Sequence, residues 1–376
     1  MAILFVSNGH GEDALAAVLA QELAKQTTEE IIALPLVGEG IAYENLGIKV
    51  IHRQELLPSG GFAYLGWTNM KADLNSGLLK QIKEQKKVLR SLKDISLAVC
   101  VGDSYNLYLV SRNLDKDIVF IPTAKSNYIK PHFFLEIILM RRKALVVLPR
   151  DEVTATDLRE KKVNAKYLGN LMMDAIYPTA FSFPVPNPIG VLPGTRQDAD
   201  KNLQSILKII EKTTVRDHYL VAVANSFNVE EFIAKSDWDK GNCEFASALL
   251  KKGSKQVYLC QGMFGDIIKE ADIVLGLSGT GNEQAAGLGK PVVTFIGPGT
   301  QFNAYFARKQ NKLLGDAIVL VEGNEEAVAK TLDKLSLNPD ECKRRGAIGK
   351  ERMGVSGAKK RMADLITTII NKEVIS

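Results

Sequence analysis

The segment AILFVSNGHGEDALAAVLAQELAK, residues 2–25, joins a short apolar run to a helical pattern through a glycine-rich turn. The run Ile3–Val6 predicts a buried strand, and apolar residues then recur at helical spacing over Ala14–Lys25. The turn between them places His10 between two glycines. A strand, a tight turn and a helix form the repeating unit of a parallel sheet covered by helices. The segment therefore predicts an α/β fold.

The same alternation continues along the first half of the chain. Helical patterns such as Gly77–Lys93 separate most of the apolar runs. The predicted strands are Ile3–Val6, Glu30–Leu36, Lys49–Ile51, Leu97–Val101, Asp117–Ile121, Leu145–Leu148 and Ala165–Tyr167. Strand–helix alternation of this kind predicts a parallel sheet with helices on both faces.

A proline-rich segment, FSFPVPNP at residues 181–188, interrupts the alternation. Prolines at alternate positions exclude a helix and a central strand, so we predict an interdomain hinge. A second alternation of strands and helices follows it. Its predicted strands are Ile189–Leu192, His218–Val223, Gln256–Leu259, Ile273–Leu275, Pro291–Phe295 and Asp316–Val321. The predicted organisation is a domain at 1–180, the hinge, a domain at 189–355 and a C-terminal helix at 356–376. Two doubly wound domains would face each other across a central cleft.

Composition excludes several classes of protein. The chain has 376 residues, is 46% hydrophobic and 24% charged, and carries a net charge of +5. This mild charge does not indicate nucleic-acid binding. The four cysteines and four histidines are scattered, which argues against a structural zinc site. No stretch reaches the roughly 18 apolar residues of a membrane helix, and no signal peptide is recognisable. We therefore expect a cytoplasmic protein.

The clearest candidate site lies in the second domain, where LPGTR at residues 192–196 follows a predicted strand. Gly194 permits a sharp turn, Thr195 follows it, and Arg196 offers a planar fork to a phosphate. An ordinary turn with a solvated arginine is the alternative. Two further strands of this domain also end in small-residue turns.

The first of these turns, SGTGNEQ at residues 278–284, opens a helix whose free N–H groups suit a diphosphate. Glu283 would accept hydrogen bonds from ribose hydroxyls, or would simply interact with the helix dipole. The second, QGMF at residues 261–264, either presents its backbone and apolar side chains to a base or is a plain turn. The candidate substrate-binding residues are Gly194, Thr195, Arg196, Gly262, Met263, Phe264, Ser278, Gly279, Thr280, Gly281, Asn282, Glu283 and Gln284.

The motifs together resemble a GT-B glycosyltransferase, and in particular the lipid-A-disaccharide synthase-related family. The resemblance runs nearly end to end. It is carried by SNGHGED (7–13), VGEGIAYENLGIKVIHRQELLPSGGFAYLG (37–66), VGDSYN (101–106), KYLGNLMMDAIYP (166–178), LPGTR (192–196) and SGTGNEQAA (278–286). It implies a GT-B fold, a UDP-sugar donor, a lipid-linked acceptor and inversion at the anomeric carbon. We expect no metal ion, because a helix dipole and Arg196 can neutralise the charge of the leaving diphosphate.

The chain departs from this family mainly on the acceptor side. TAKSNYIKPHFF at 123–134 replaces a Trp-containing segment, the family aspartate falls at Asp103 or Ser104, and the match at Glu283 needs a gap. The resemblance therefore supports a UDP-sugar donor better than it supports a particular acceptor. A UDP-sugar epimerase of GT-B architecture and a non-catalytic sugar-nucleotide-binding protein stay open as alternatives.

His10 resembles instead the histidine of glycosyltransferases that make lipid II and galactolipids. An imidazole in the first turn could take a proton from an acceptor hydroxyl. Asp13 or Asp103 could orient the ring or act as the base, and helix capping is the alternative role for His10. The acceptor-side candidates are Ser7, Asn8, Gly9, Gly11 and Asn106.

The segment 133–143 combines Phe133, Phe134 and further apolar residues with Arg141, Arg142 and Lys143. It predicts either a helix that lies on an anionic membrane, at the inner face of the cytoplasmic membrane, or a core helix leading into the next strand. The sequence leaves open whether the chain forms a homodimer.

Overall fold

A computed structural model describes residues 1–54, 77–194, 198–299 and 302–373 of the chain. The chain forms two compact units. Unit 1 comprises Met1–Ala175 and Ser356–Ser376, and unit 2 comprises Ile176–Val355. The predicted first boundary was residue 180, and the last helix was predicted as a separate segment.

The described part of unit 1 forms a six-stranded parallel sheet of strand order β3-β2-β1-β4-β5-β6. This is the order of a doubly wound dinucleotide-binding fold. The strands are β1 (Ala2–Ser7), β2 (Glu30–Pro35), β3 (Lys49–Val50), β4 (Ile95–Gly102), β5 (Ile118–Pro122) and β6 (Val146–Val147). The predicted strand at Ala165–Tyr167 is wrong, because only an isolated bridge joins Ala165 to Val147.

Helices cover both faces of this sheet. Ile3 and Phe5 of β1 face the first and last helices of the unit, whereas Leu4 and Val6 face the helices after β4 and β5. Alternate residues of a strand point to opposite faces, which explains the uninterrupted apolar run. The helices are α1 (His10–Ala24), α2 (Ile41–Glu44), α3 (Leu78–Ser91), α4 (Ser104–Asn113), α5 (Phe134–Lys143), α6 (Glu152–Glu160) and α14 (Ala358–Glu373).

The C-terminal helix α14 is part of unit 1. It packs beside α1, and Gln26 Nε2 donates to Asp364 Oδ1 over 3.0 Å. Asp174 lies near the end of Met1–Ala175, the first segment of the unit, and accepts a hydrogen bond from the backbone N–H of Lys359 over 2.7 Å. These contacts fix the returning chain on unit 1.

Unit 2 repeats the doubly wound arrangement. Its described residues form an eight-stranded sheet of order β14-β13-β12-β7-β8-β11-β10-β9, in which β9 and β10 are antiparallel additions at one edge. The strands are β7 (Ile189–Leu192), β8 (His218–Val223), β9 (Asp239–Gly241), β10 (Ala248–Lys252), β11 (Lys255–Gln261), β12 (Ile273–Gly276), β13 (Val292–Phe295) and β14 (Ile318–Val321). The hairpin of β9 and β10 was not predicted.

The helices of unit 2 are α7 (Ala199–Ile210), α8 (Val229–Ala234), α9 (Phe264–Glu270), α10 (Thr280–Gly287), α11 (Ala304–Leu314), α12 (Glu325–Ser336) and α13 (Pro339–Met353). The proline-rich segment packs within this unit. Phe183 is buried, with its ring centroid 5.1 Å from that of Phe181 and 5.8 Å from that of Phe245. Asp266 accepts the Thr179 hydroxyl over 3.0 Å and the Phe181 N–H over 3.2 Å.

No helix among the described residues is long and apolar enough to span a bilayer. Within the same part of the chain, no group of three or more His, Cys, Asp and Glu side chains is placed to hold a metal ion.

Candidate functional site

The strand order of unit 2 brings two glycine turns together. From β7 the chain proceeds to β8 on one side, and it later returns to β12 on the other side. The Leu277 N–H, just after β12, donates to Leu192 O at the end of β7 over 2.8 Å. In doubly wound sheets, ligands bind outside the carboxyl ends of the strands at this reversal point.

Gly194 shapes the turn after β7. Its φ is +91°, and a Cβ at this position would lie 3.3 Å from Leu277 O. Asn202, in α7, holds the same turn by donating from Nδ2 to Pro193 O over 2.9 Å. The predicted phosphate ligands Thr195 and Arg196 lie outside the described residues.

The turn after β12 leads directly into α10. Ser278 and Gly279 are half-buried, and Thr280, the first residue of the helix, is exposed. Ser278 Oγ accepts the Gly281 N–H over 3.2 Å, which stabilises the helix start. Because the first N–H groups of a helix lack intrahelical partners, this end presents donors and a positive dipole to an anion. Glu283 is half-buried in the first turn.

Two predicted site residues of α10 have buried side chains. Asn282 is fully buried, and its Nδ2 donates to Gly276 O over 3.1 Å and to Gln310 Oε1 over 2.9 Å. Gln284 is 5% exposed. The Asn282 side chain therefore supports the turn from inside. Gln310 was not predicted as a site residue, because it lies 28 residues farther along and carries no local motif.

The loop after β11 is clamped to the loop after β8. Gln261 Nε2 donates to Asn225 O over 3.2 Å and to Phe227 O over 3.1 Å. Gly262 has φ +71° and is exposed, and Met263 and Phe264 are half-buried. Since β11 is two strands from β7, this loop lies about 10 Å from the Gly194 turn along the sheet edge.

The corresponding reversal point of unit 1 lies between β1 and β4. Asn8 Oδ1 accepts the Asp103 N–H over 3.1 Å, so the two predicted loops meet. A Cβ on Gly102, whose φ is +142°, would lie 1.7 Å from Asn8 Oδ1, and only glycine fits there. Asp103 Oδ1 accepts the Tyr105 N–H over 2.9 Å and caps α4. Buried Asn106 donates to the carbonyls of Val6 and Val101 over 2.7 and 3.1 Å, and so ties β1 to β4.

His10 is the first residue of α1 and is exposed. Gly9 is the N-cap, and no side chain caps this helix. The ring lies against the loop after β2, because a Cβ on Gly38 would come 2.5 Å from His10 Cε1. His10 forms no hydrogen bond with a described residue, so neither Asp13 nor Asp103 orients the ring as the sequence analysis suggested.

Asp13 instead belongs to a buried chain of three side chains. Ser7 Oγ donates to Asp13 Oδ1 over 2.6 Å and lies 2.6 Å from the Tyr43 hydroxyl. Ser7 and Tyr43 are fully buried, and Asp13 is 2% exposed. Burial raises the pKa of Asp13 to about 7, assisted by the nearby charge of Glu12, although the Ser7 hydrogen bond opposes the shift. The protonated carboxyl is therefore well populated near neutral pH.

Helix α5 has both buried and exposed apolar side chains. Ile137 and Met140 lie in the core, whereas Phe133, Phe134 and Leu135 are 52%, 74% and 76% exposed. The ammonium groups of two lysines lie over the Phe133 ring, at 3.9 Å for Lys125 and 4.4 Å for Lys130. Arg141, Arg142 and Lys143 are exposed at the other end of the helix. Exposed aromatic and basic side chains thus share one segment of unit 1.

Two doubly wound units in one chain match several solved structures over almost their full length. UDP-GlcNAc 2-epimerase from Neisseria meningitidis bound to UDP-GlcNAc has a TM-score of 0.59 and 16% identity, covering 98% of this chain and 100% of that chain. MurG from Acinetobacter baumannii has a TM-score of 0.61 and 14% identity, covering 98% and 99%. CalG4, the calicheamicin glycosyltransferase, has a TM-score of 0.60 and 13% identity, covering 98% of each chain.

The chain has the GT-B fold. No protein-family model matches it, and neither does any curated protein sequence. The GT-B fold implied by the resemblance is confirmed. At these identities, the likeness does not distinguish lipid-A-disaccharide synthase-related enzymes from other GT-B proteins.

Proposed function

We propose that this GT-B chain transfers a sugar from a UDP-sugar to a hydroxyl of a lipid-linked acceptor, with inversion, in the manner of lipid-A-disaccharide synthases. The observation that carries the proposal is the meeting of the Gly194 turn and the α10 N-terminus at the reversal point of unit 2. This arrangement offers backbone donors and a helix dipole to a diphosphate.

In this proposal, unit 2 holds the donor. The N–H groups at the start of α10 bind the diphosphate, and Arg196 adds a charged fork. Glu283 accepts hydrogen bonds from the ribose hydroxyls. The loop of Met263 and Phe264 binds the uracil ring, about 10 Å from the Gly194 turn. The dipole and Arg196 neutralise the leaving diphosphate, so the reaction requires no metal ion.

Unit 1 supplies the general base that accepts the proton of the acceptor hydroxyl. The neutral imidazole of His10 removes the proton from the acceptor hydroxyl. At the same time, the oxygen of that hydroxyl attacks the anomeric carbon of the donor sugar. The bond between that carbon and the diphosphate oxygen breaks, and UDP leaves. What supports His10 is its exposure at the carboxyl edge of the sheet and its lack of a hydrogen bond to a described residue. Asp103 keeps its capping bond to α4 in this scheme.

The lipid-linked acceptor motivates a membrane role for α5. Exposed Phe133 and Phe134 would enter the interface, and Lys130 and the basic residues at 141–143 would meet anionic head groups. We propose peripheral binding to an anionic membrane through this segment.

The experiment that tests the transfer is incubation with a panel of radiolabelled UDP-sugars and total membrane lipid, followed by lipid extraction. We expect label in the lipid fraction with wild type and much less with His10→Ala. UDP binding of both proteins, measured by calorimetry, is the matched control. If no labelled lipid forms with any donor although UDP binds, the transfer proposal is wrong.

A second function is supported by the likeness to solved UDP-GlcNAc 2-epimerases, one of them bound to UDP-GlcNAc. Incubation with UDP-GlcNAc in D₂O, without lipid, tests it. Inversion at C2 with incorporation of solvent deuterium at that carbon, observed by NMR, would favour the epimerase. UDP binding without either reaction would favour a non-catalytic sugar-nucleotide-binding protein.

A further inference from the structure

Helix α11 packs directly beneath the turn that begins α10. A Cβ on Gly279 would lie 3.2 Å from Phe306 Cζ, so the aromatic ring supports this glycine closely. Gln310 lies one helical turn after Phe306, on the same face of α11, and is 3% exposed. A buried amide thus lies under the proposed diphosphate site without reaching the surface.

Every hydrogen bond that the Gln310 side chain forms with a described residue goes to this turn. Its Nε2 donates to Gly279 O over 2.7 Å and to Ser278 O over 3.3 Å. Its Oε1 accepts from Asn282 Nδ2 over 2.9 Å. The Glu283 N–H also donates to Gly279 O, over 3.3 Å. Gln310 thus orients the Ser278 carbonyl and, together with this helical bond, the Gly279 carbonyl at the first turn of α10.

The orientation of these carbonyls determines where the neighbouring N–H groups point. A trans peptide is planar, and its N–H points opposite to its C=O. The Ser278 carbonyl shares a peptide with the Gly279 N–H, and the Gly279 carbonyl shares one with the Thr280 N–H. Since both carbonyls face Gln310, both N–H groups point away from α11. Neither donates to a described residue, and successive N–H groups that point the same way form an anion-binding concavity.

We propose that Gln310 is a positioning residue for the donor diphosphate. It holds the Ser278–Gly279–Thr280 backbone with two N–H groups directed at the phosphate oxygens. The inference rests on the proposed function, because it assumes that a UDP moiety binds at the start of α10. Gln310 itself does not touch the substrate, and a buried neutral amide costs no charge repulsion with the anion.

The test compares UDP with uridine as ligands of Gln310→Met, in which the side chain keeps its length and loses its amide. We expect UDP affinity to fall about 10- to 100-fold, the size of one charge-assisted hydrogen bond. Uridine lacks the phosphates, and its affinity should stay within about twofold. Gln85→Met is the matched control. Gln85, in α3 of unit 1, is 3% exposed and donates to Leu36 O over 3.0 Å, and its replacement should leave both affinities unchanged.

An unchanged UDP affinity in Gln310→Met would overturn the inference, and so would an equal loss for UDP and uridine, which indicates a general structural role. If wild type itself does not bind UDP, the proposed donor site fails and the inference with it. The wild-type protein labelled with ¹⁵N-glycine provides a measurement that does not depend on folding of the variant. The Gly279 amide resonance should shift downfield with UDP and stay in place with uridine, and the same response to both ligands would contradict the inference.

Discussion

Replacing Asp13 by asparagine tests the buried chain under the first glycine turn. Asparagine keeps the shape of the side chain and an Oδ1 that accepts from Ser7, but it carries no titratable proton. The folded pKa of Asp13, about 7, lies above its ordinary value of 3.8. The folded protein therefore holds this proton more tightly than the unfolded chain. The resulting stabilisation is fully present below about pH 4 and is lost as the pH rises through 7.

The magnitude follows from the size of the shift. Each pKa unit corresponds to about 1.4 kcal/mol, so Asp13 makes wild-type unit 1 about 3 kcal/mol less stable at pH 8 than at pH 5. Asp13→Asn removes this contribution. We expect the variant to be more stable than wild type at pH 8, by an amount that shrinks as the pH falls.

Hydrogen exchange of the β1 amides, Ala2–Ser7, reports the opening of unit 1 once the intrinsic pH dependence of exchange has been subtracted. Asp115→Asn, a change at an exposed acid of the same unit, is the control and should keep the wild-type pH profile. If Asp13→Asn and wild type lose stability equally between pH 5 and pH 8, Asp13 is ionised in the folded protein and the reasoning is wrong.

Four further outcomes are expected. Arg196→Ala should weaken UDP binding by about 1.5–3 kcal/mol, the value of a hydrogen bond to a charged group, and an unchanged calorimetric dissociation constant would contradict this. His10→Ala should lower turnover about 10²–10⁴-fold with UDP affinity retained. A His10→Ala variant that keeps most of the activity would contradict the role of His10 as the general base. Replacing the exposed Phe133 and Phe134 together by serine should abolish sedimentation with anionic liposomes, from which high salt should also release wild type. A folded double variant that still sediments would contradict this. Gly194→Ala should cost about 1–3 kcal/mol in urea unfolding, because alanine is strained at φ +91°, and an unchanged midpoint would show that the turn relaxes.

The local pattern was sufficient to predict the parallel strands of both sheets, but not the antiparallel strands β9 and β10. The strands Ile189–Leu192 and His218–Val223 were predicted with the bounds that the structure shows, because buried parallel strands are short uninterrupted apolar runs. The edge strand β9, Asp239–Gly241, was missed because it is polar and forms only by pairing with β10. Its formation depends on a partner strand and not on its own residues.

The candidate site also has features that local sequence predicts and features that depend on distant segments. Sequence alone determined the alternation of strands and helices and the glycine turns that end β1, β7 and β12, because these depend on periodicity and on backbone freedom at single residues. Only the tertiary structure decided which side chains face a ligand and which face inward. Asn282 stands in the turn motif but is buried, Asp13 bonds to Ser7 and Tyr43 and not to His10, and Gln310 reaches the turn from another helix. Burial and hydrogen bonding between distant segments are set by the packing of helices on a sheet, and the turn motifs themselves contain neither Tyr43 nor Gln310.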